Sequence, residues 1–212
     1  MKFIYKNISV SFLVVFALFL AFGGWEIGKY QVVPKRWGIV EQDKIFRSGR
    51  IAPHLIRPTL QKHGIKVIVD LTDDFNPRNP ACRAEQNAAE ELGISRYNFS
   101  LCGDGTGNIT NYAKAIFAIE QARKENKPVL VHCAAGVQRT GGVIASYRLL
   151  VEKQTPATAY AELTRYGWKP KKNKILLEYL NDHMAELNTI LQSMQIIPKE
   201  KTEKRPVPRI AP

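Results

Sequence analysis

The chain has 212 residues, 45% of them hydrophobic and 24% charged, with 14 Gly; this is the make-up of one ordinary globular domain with room for a core, and it excludes a disordered, collagenous or disulfide-stapled chain. Three Cys cannot all pair among themselves, so at least one thiol is free or bonded elsewhere. Lys and Arg number 31 against 19 acidic residues, a formal +12, which points to anionic partners (phosphate, nucleic acid or a membrane surface) without choosing among them.

Residues 8–25 carry no charge and are rich in Phe, Leu and Val. As a helix they would span roughly 27 Å, just short of a hydrocarbon core of about 30 Å. Lys2 and Lys6 precede the run, and Ala21-Phe22-Gly23 reads as a small-x-small cleavage site. Three readings stay open: an uncleaved anchor, a cleaved signal and a buried helix. The first two send residues 1–29 to a membrane, either as a single N-terminal helix or as an export signal. Positive charge flanks the run on both sides, so orientation is open; the short basic N-terminus leans toward an exported domain. Residues 30–197 alternate between strand-like and helix-like stretches. Residues 38–40 and 44–47 read as two short strands, 58–64 as a helix ending at Gly64, and 65–71 as a β-branched strand. Residues 81–92 read as a helix stopped by Gly93, and 95–101 as extended. Residues 112–125 place Tyr112, Ala115, Ile116, Ile119 and Ala122 at helical spacing. Residues 128–131 are wholly apolar, as a buried central strand is. Residues 141–151 are helical, and further helices run to about residue 195. The alternation predicts an α/β fold, a central sheet flanked by helices on both faces. Residues 198–212 are Pro-rich with alternating charge and little to bury, and are expected to be a disordered tail, with anionic-lipid contact as the alternative. No internal repeat is visible.

The chemistry gathers at the end of the apolar strand, where residues 132–140 read His-Cys-Ala-Ala-Gly-Val-Gln-Arg-Thr. A loop of small residues leading into a helix turns successive backbone N–H groups inward and makes an anion nest. Ala134, Ala135 and Gly136 leave space for a tetrahedral oxyanion, Val137 and Gln138 complete the loop, and Arg139 can fork onto two oxygens. Cys133 faces the same nest, which favours its thiolate. A thiolate aimed at a cradled phosphate is a nucleophile for phosphoryl transfer. Thr140 can donate to the sulfur, and His132 can fix the loop through backbone contacts.

This segment resembles the signature of the cysteine-dependent protein tyrosine phosphatase superfamily, and the compact size is similar to its dual-specificity branch. Phe46-Arg47-Ser48-Gly49-Arg50 also resembles an N-terminal element of small bacterial and plant or fungal members. The resemblance implies a phosphatase-like sheet, a phosphocysteine intermediate, Arg139 on the phosphoryl group, and no metal or other cofactor. It also implies an Asp on a mobile loop about thirty residues before the Cys. Asp104 lies 29 positions before Cys133, flanked by Gly103, Gly105 and Gly107; it would protonate the leaving oxygen and then activate water. Asp73 and Asp74 are held in reserve. The partner expected is a phosphorylated protein, with phosphotyrosine ahead of phosphoserine or phosphothreonine. A phosphoinositide phosphatase and a non-catalytic phosphopeptide-binding module are the alternatives. Ala134, Val137 and Gln138 add no charge to the loop, which argues against highly phosphorylated inositols. Arg165, Lys169, Lys171, Lys172 and Lys174 cluster around Trp168, but aromatic interleaving is too sparse for nucleic acid. Cys102 is a candidate disulfide partner for Cys133, and Cys82 has no evident role. A thiol that must stay reduced favours the cytoplasm, against the lean to export.

Overall fold

The computed structural model describes residues 28–72, 78–199 and 207–212, together with Val15. The apolar run and the reserve residues Asp73 and Asp74 therefore lie outside the described residues, Val15 apart. Among the described residues, no helix is long and apolar enough to cross a membrane. The chain divides into two units, Met1–Val33 and Pro34–Pro212. In the first, a 3₁₀ turn spans Lys29–Gln31.

The second unit opens with an antiparallel pair, β1 (Gly38–Glu41) and β2 (Ile45–Gly49). Helix α1 (Pro53–Lys62) follows. The sequence places the start of this helix at Pro58, yet Pro58 lies inside it and Pro53 opens it. One helical hydrogen bond is lost at Pro58, and burial of Ile56 and Leu60 on the inward face outweighs that loss. Then come β3 (Val67–Asp70), α2 (Pro80–Glu91), β4 (Ser95–Asn98), α3 (Ile109–Lys124) and β5 (Val129–Cys133). Helices α4 (Gln138–Leu150), α5 (Pro156–Arg165) and α6 (Lys174–Ser193) complete the unit. The starts of α2 and α3 are written locally. Asn79 and Asn108 each accept a backbone N–H from two residues on, at 2.9 and 2.8 Å, and a Pro opens α2.

The five strands lie in the order β1-β2-β5-β3-β4, and every pairing except β1 with β2 is parallel. All five residues of β5 are buried at the centre. Alternation along it feeds two cores. Val129, Val131 and Cys133 join side chains of α3, α4 and α6. Leu130 joins Phe46, Ile68 and side chains of α1 and α2 on the opposite face. Helices thus cover both faces of the sheet, as the alternating pattern predicts.

One expectation changes here. The C-terminal residues expected to be disordered include Ile210, which is buried. Its N–H donates to Asn181 Oδ1 at 2.7 Å, and its carbonyl accepts from Asn181 Nδ2 at 3.0 Å. One apolar residue and one side-chain amide dock this stretch on α6, a detail that average composition hides. Trp168, at the heart of the basic cluster, is a core residue: its ring meets Tyr160 edge-on, and its Nε1 donates to the Asn173 carbonyl at 3.0 Å.

Candidate active site

β5 ends at Cys133 in the middle of the sheet, at the carboxyl edge where α/β folds present ligands to the following helix. Residues 134–137 bridge to α4, whose N-terminus has no side-chain cap and leaves its N–H groups toward the loop. The Gly136 N–H points at the Cys133 sulfur, with N to Sγ 3.2 Å. Gly136 sits at φ +73°, and a Cβ there would lie 2.5 Å from the Gly49 nitrogen and 2.8 Å from the Ser48 carbonyl. Both the left-handed backbone and the backbone contact require glycine.

What shapes this loop is a set of donors on its outside. The Ala134 carbonyl accepts the Arg50 N–H at 3.2 Å, the Ala135 carbonyl accepts Arg36 Nη1 at 2.9 Å, and the Gly136 carbonyl accepts Arg47 Nη2 at 2.7 Å. Three consecutive carbonyls are drawn outward. In a trans peptide the N–H points opposite to the C=O, so the N–H groups of Ala135, Gly136 and Val137 are turned to the inside. Arg47 is fully buried; its Nη1 lies 2.5 Å from Glu162 Oε1, and its guanidinium stacks 3.8 Å from the Tyr166 ring centre. Arg148 takes the other Glu162 oxygen at 3.0 Å. Arg47 through its guanidinium and Arg50 through its backbone N–H give the Phe46–Arg50 element a physical role that sequence resemblance alone could not supply.

Burial alone would push the Cys133 thiol up. The Thr140 hydroxyl, the backbone N–H groups of Thr140 and Gly136, and the Arg139 charge together outweigh burial and hold the thiol below its ordinary value. Arg139 is itself buried, and its Nη1 donates to the Leu101 carbonyl at 3.3 Å. That bond ties the loop to the segment carrying Asp104.

Asp104 occupies a turn in which its Oδ1 accepts the Thr106 N–H at 2.9 Å and the Thr106 hydroxyl at 2.7 Å. These bonds hold its carboxyl below the usual value despite some burial. The direction suits the base half of a hydrolytic cycle; the acid half requires the carboxyl to leave Thr106 for a leaving oxygen. The resemblance implies a mobile loop here, yet two tyrosines grip it. Tyr112 Oη donates to the Gly105 carbonyl, and Tyr179 Oη to the Gly107 carbonyl at 2.6 Å. The Tyr112 hydroxyl is pushed far up by burial first, then by the charges of Tyr179, Cys133 and Asp104, so it remains a donor. A Cβ at Gly105 would lie 2.6 Å from the Leu176 side chain and 3.3 Å from the Gln138 backbone, so this turn sits close to the start of α4. The structure therefore gathers Cys133, residues 134–137, Gln138, Arg139, Thr140 and the Asp104 turn around one end of the sheet.

His132 points to the opposite face from Cys133, and its surroundings could not be read from the sequence. Its Nε2 lies 3.0 Å from Glu85 Oε2 and 3.9 Å from Asp70 Oδ1. Arg96 binds an oxygen of each of those carboxylates. Asp70, Glu85 and His132 are chemically able to ligate a metal, but the Arg96 guanidinium already bridges the two acids, and the set closes as an ion-pair network. Cys82 and Cys133 are buried, Cys102 is exposed, and all three are free thiols.

Residues 51–189 match the family model of the dual specificity phosphatase catalytic domain. A stretch of 68 residues is 35% identical to Dual specificity protein phosphatase OPG106 of Vaccinia virus (strain Copenhagen); it covers 32% of this chain and 40% of that protein's length. Among solved structures, the core catalytic domain of the PP-IP phosphatase Siw14 from S. cerevisiae, in complex with citrate, superposes with a TM-score of 0.59 at 21% identity, covering 78% of this chain and 96% of that one. A cysteine-to-serine form of P. aeruginosa TpbA, in complex with phosphotyrosine, gives 0.54 at 19% identity, covering 71% and 86%. At such identities the structural likeness speaks for the fold, while the family model takes in well over half of the residues. With its Cys-x5-Arg loop and its matching fold, the chain belongs to the dual specificity phosphatase catalytic-domain family, within the cysteine-dependent protein tyrosine phosphatase superfamily.

Proposed function

We propose that the protein hydrolyses phosphotyrosine in proteins, and phosphoserine or phosphothreonine where they reach the loop, through a phosphocysteine intermediate. The observation that carries this reading is the inward-facing row of N–H groups beside a depressed thiol. The non-bridging oxygens of a phosphoryl group take those N–H groups and the fork of Arg139. The Cys133 thiolate attacks phosphorus, the P–O bond to the alcohol or phenol breaks, and Asp104 supplies the proton to the leaving oxygen. In the second half, ionised Asp104 takes a proton from water, which attacks phosphorus, breaks the S–P bond and releases inorganic phosphate. The uncharged side chains of Ala134, Val137 and Gln138 suit a monoester with one phosphate, and TpbA has been solved with phosphotyrosine.

A second reading, an inositol phosphate substrate, is favoured by the basic residues beside the loop. The Lys35 carbonyl accepts the Gly49 N–H at 2.6 Å, and Arg36 holds Ala135; Siw14 is described as a PP-IP phosphatase. The deciding experiment measures phosphate release from phosphotyrosine, phosphoserine and phosphothreonine peptides and from inositol phosphates, using the full chain and Cys133→Ser. Peptide turnover that disappears in Cys133→Ser supports the first reading. Release from inositol phosphates alone overturns it, and activity retained by Cys133→Ser removes the covalent mechanism.

A further inference from the structure

We propose that Glu85, on α2, is a positioning residue for the reaction: through a buried ion pair it keeps His132 as an imidazolium directly behind Cys133 and so favours the nucleophilic thiolate. The inference rests on the proposed role of Cys133.

The geometry begins with register. β5 is flanked by β2 and β3, with Ser48, His132 and Asp70 paired across the three strands. In parallel strands, paired residues share a face. His132 therefore emerges on the α1 and α2 side, while the neighbouring Cys133 emerges on the α3, α4 and α6 side. The imidazole lies under the sheet at the root of the catalytic loop, shut off from water. The groups that meet it come from every element packed there: Asp70 from β3, Glu85 from α2, Arg96 from β4 behind the two acids, and Cys133 beside it on β5. Among the described residues, neither ring nitrogen makes a hydrogen bond of good angle, so the 3.0 Å ion pair with Glu85 is the short polar contact that holds the ring.

Charge counting decides the state of this cluster. Asp70, Glu85 and Arg96 are one cation and two anions, all with little or no exposure. An uncompensated buried charge is costly, whereas a proton on His132 brings the sum to zero. Burial on its own would strip that proton; the charges of Glu85 and Asp70, the 3.0 Å contact with Glu85 and the charge of Cys133 reverse this and raise His132 to about 9. Glu85 responds in the opposite direction: burial opposes its charge, but His132 and Arg96 bring it to about 2. The positive charge is thus present through neutral pH and is lost as pH rises through about 9. The Cys133 charge raises His132, and by reciprocity a charge on the imidazolium of this adjoining residue favours the ionised sulfur.

The test is Glu85→Gln, which keeps size and removes the charge that holds the proton. The readout is the pH dependence of Cys133 alkylation by iodoacetamide, which needs no substrate and is separate from the phosphatase assay. Loss of the imidazolium should raise the thiolate midpoint by about one unit, a tenfold slower alkylation at low pH. Glu85→Asp, which retains a carboxylate, should recover part of that loss. A folded Glu85→Gln protein whose alkylation midpoint matches wild type overturns the proposal. So does a variant that is merely less stable and loses activity equally at every pH. Should Glu85→Gln not fold, the ring is followed directly in the wild-type protein by NMR. A His132 imidazole still charged at pH 8 supports the role, and one that titrates near 6.5 refutes it. Alkylation that moves as expected in a protein without phosphatase activity would uphold the coupling while removing the proposed function.

Discussion

Replacing Arg47 by Met removes a buried cation while leaving an unbranched side chain in its space. Three contacts go with the guanidinium: the pair with Glu162 Oε1 at 2.5 Å, the bond to the Gly136 carbonyl at 2.7 Å, and the stack on Tyr166 at 3.8 Å. Breaking one side of a buried ion pair costs about 3–5 kcal/mol, because the partner stays behind as an unpaired charge. Glu162 keeps Arg148 at 3.0 Å, which places Arg47→Met at the lower end, about 3 kcal/mol. For a domain of this size each kcal/mol moves the unfolding midpoint by about 2–4 °C, so a fall of roughly 6–12 °C is expected in thermal unfolding followed by circular dichroism. Activity should suffer beyond the lost stability. With the Gly136 carbonyl released, the loop no longer presents its N–H groups in a fixed row, and KM should rise even at temperatures where the variant is fully folded. The double variant Arg47→Met with Glu162→Gln should regain part of the stability, with a coupling of about 1–3 kcal/mol, but not the activity. An Arg47→Met protein that melts within 2 °C of wild type and keeps its KM would refute the idea that the loop is shaped from outside.

Asp104→Asn should lower turnover of ordinary aryl and alkyl phosphates by about 10²–10⁴-fold, the usual range for a lost acid–base catalyst. The loss should shrink for an activated leaving group such as p-nitrophenolate, and a uniform loss across leaving groups would move the acid elsewhere. Gly136→Ala should destroy activity and lower stability by at least about 1 kcal/mol, since its Cβ meets only backbone and its φ is left-handed; an active, stable Gly136→Ala enzyme would show that the Ser48–Gly49 contact is dispensable.

The catalytic loop was legible because its geometry is local. A buried strand, small residues, an Arg and a helix start are contiguous, so residues 132–140 carry their own instructions. The sheet and its two helical layers followed from the same local patterns. The supports of the loop were not legible, because they arrive from far along the chain: Arg47 reaches Gly136 across 89 positions. Glu85 left a faint trace. It sits three and four residues before Ala88 and Ala89 on the buried face of α2, a charge at a core position, which demands a partner that only the fold can name. The Asp104 loop has a support of each kind: its three glycines permit freedom, while Tyr112, seven residues on from Gly105, and Tyr179, 72 positions on from Gly107, hold two of its carbonyls.

The position of β5 between β2 and β3 has a practical consequence for anyone who would excise the catalytic unit. The span recognisable by family, residues 51–189, begins just after Gly49 and Arg50. A fragment cut at that boundary would discard β1 and β2 and turn the fully buried strand β5 into a bare edge, with Val129, Leu130 and Val131 offering their unpaired backbone to any neighbouring chain. It would contain Cys133, Arg139 and Asp104, and would be expected to aggregate before it could bind a phosphate.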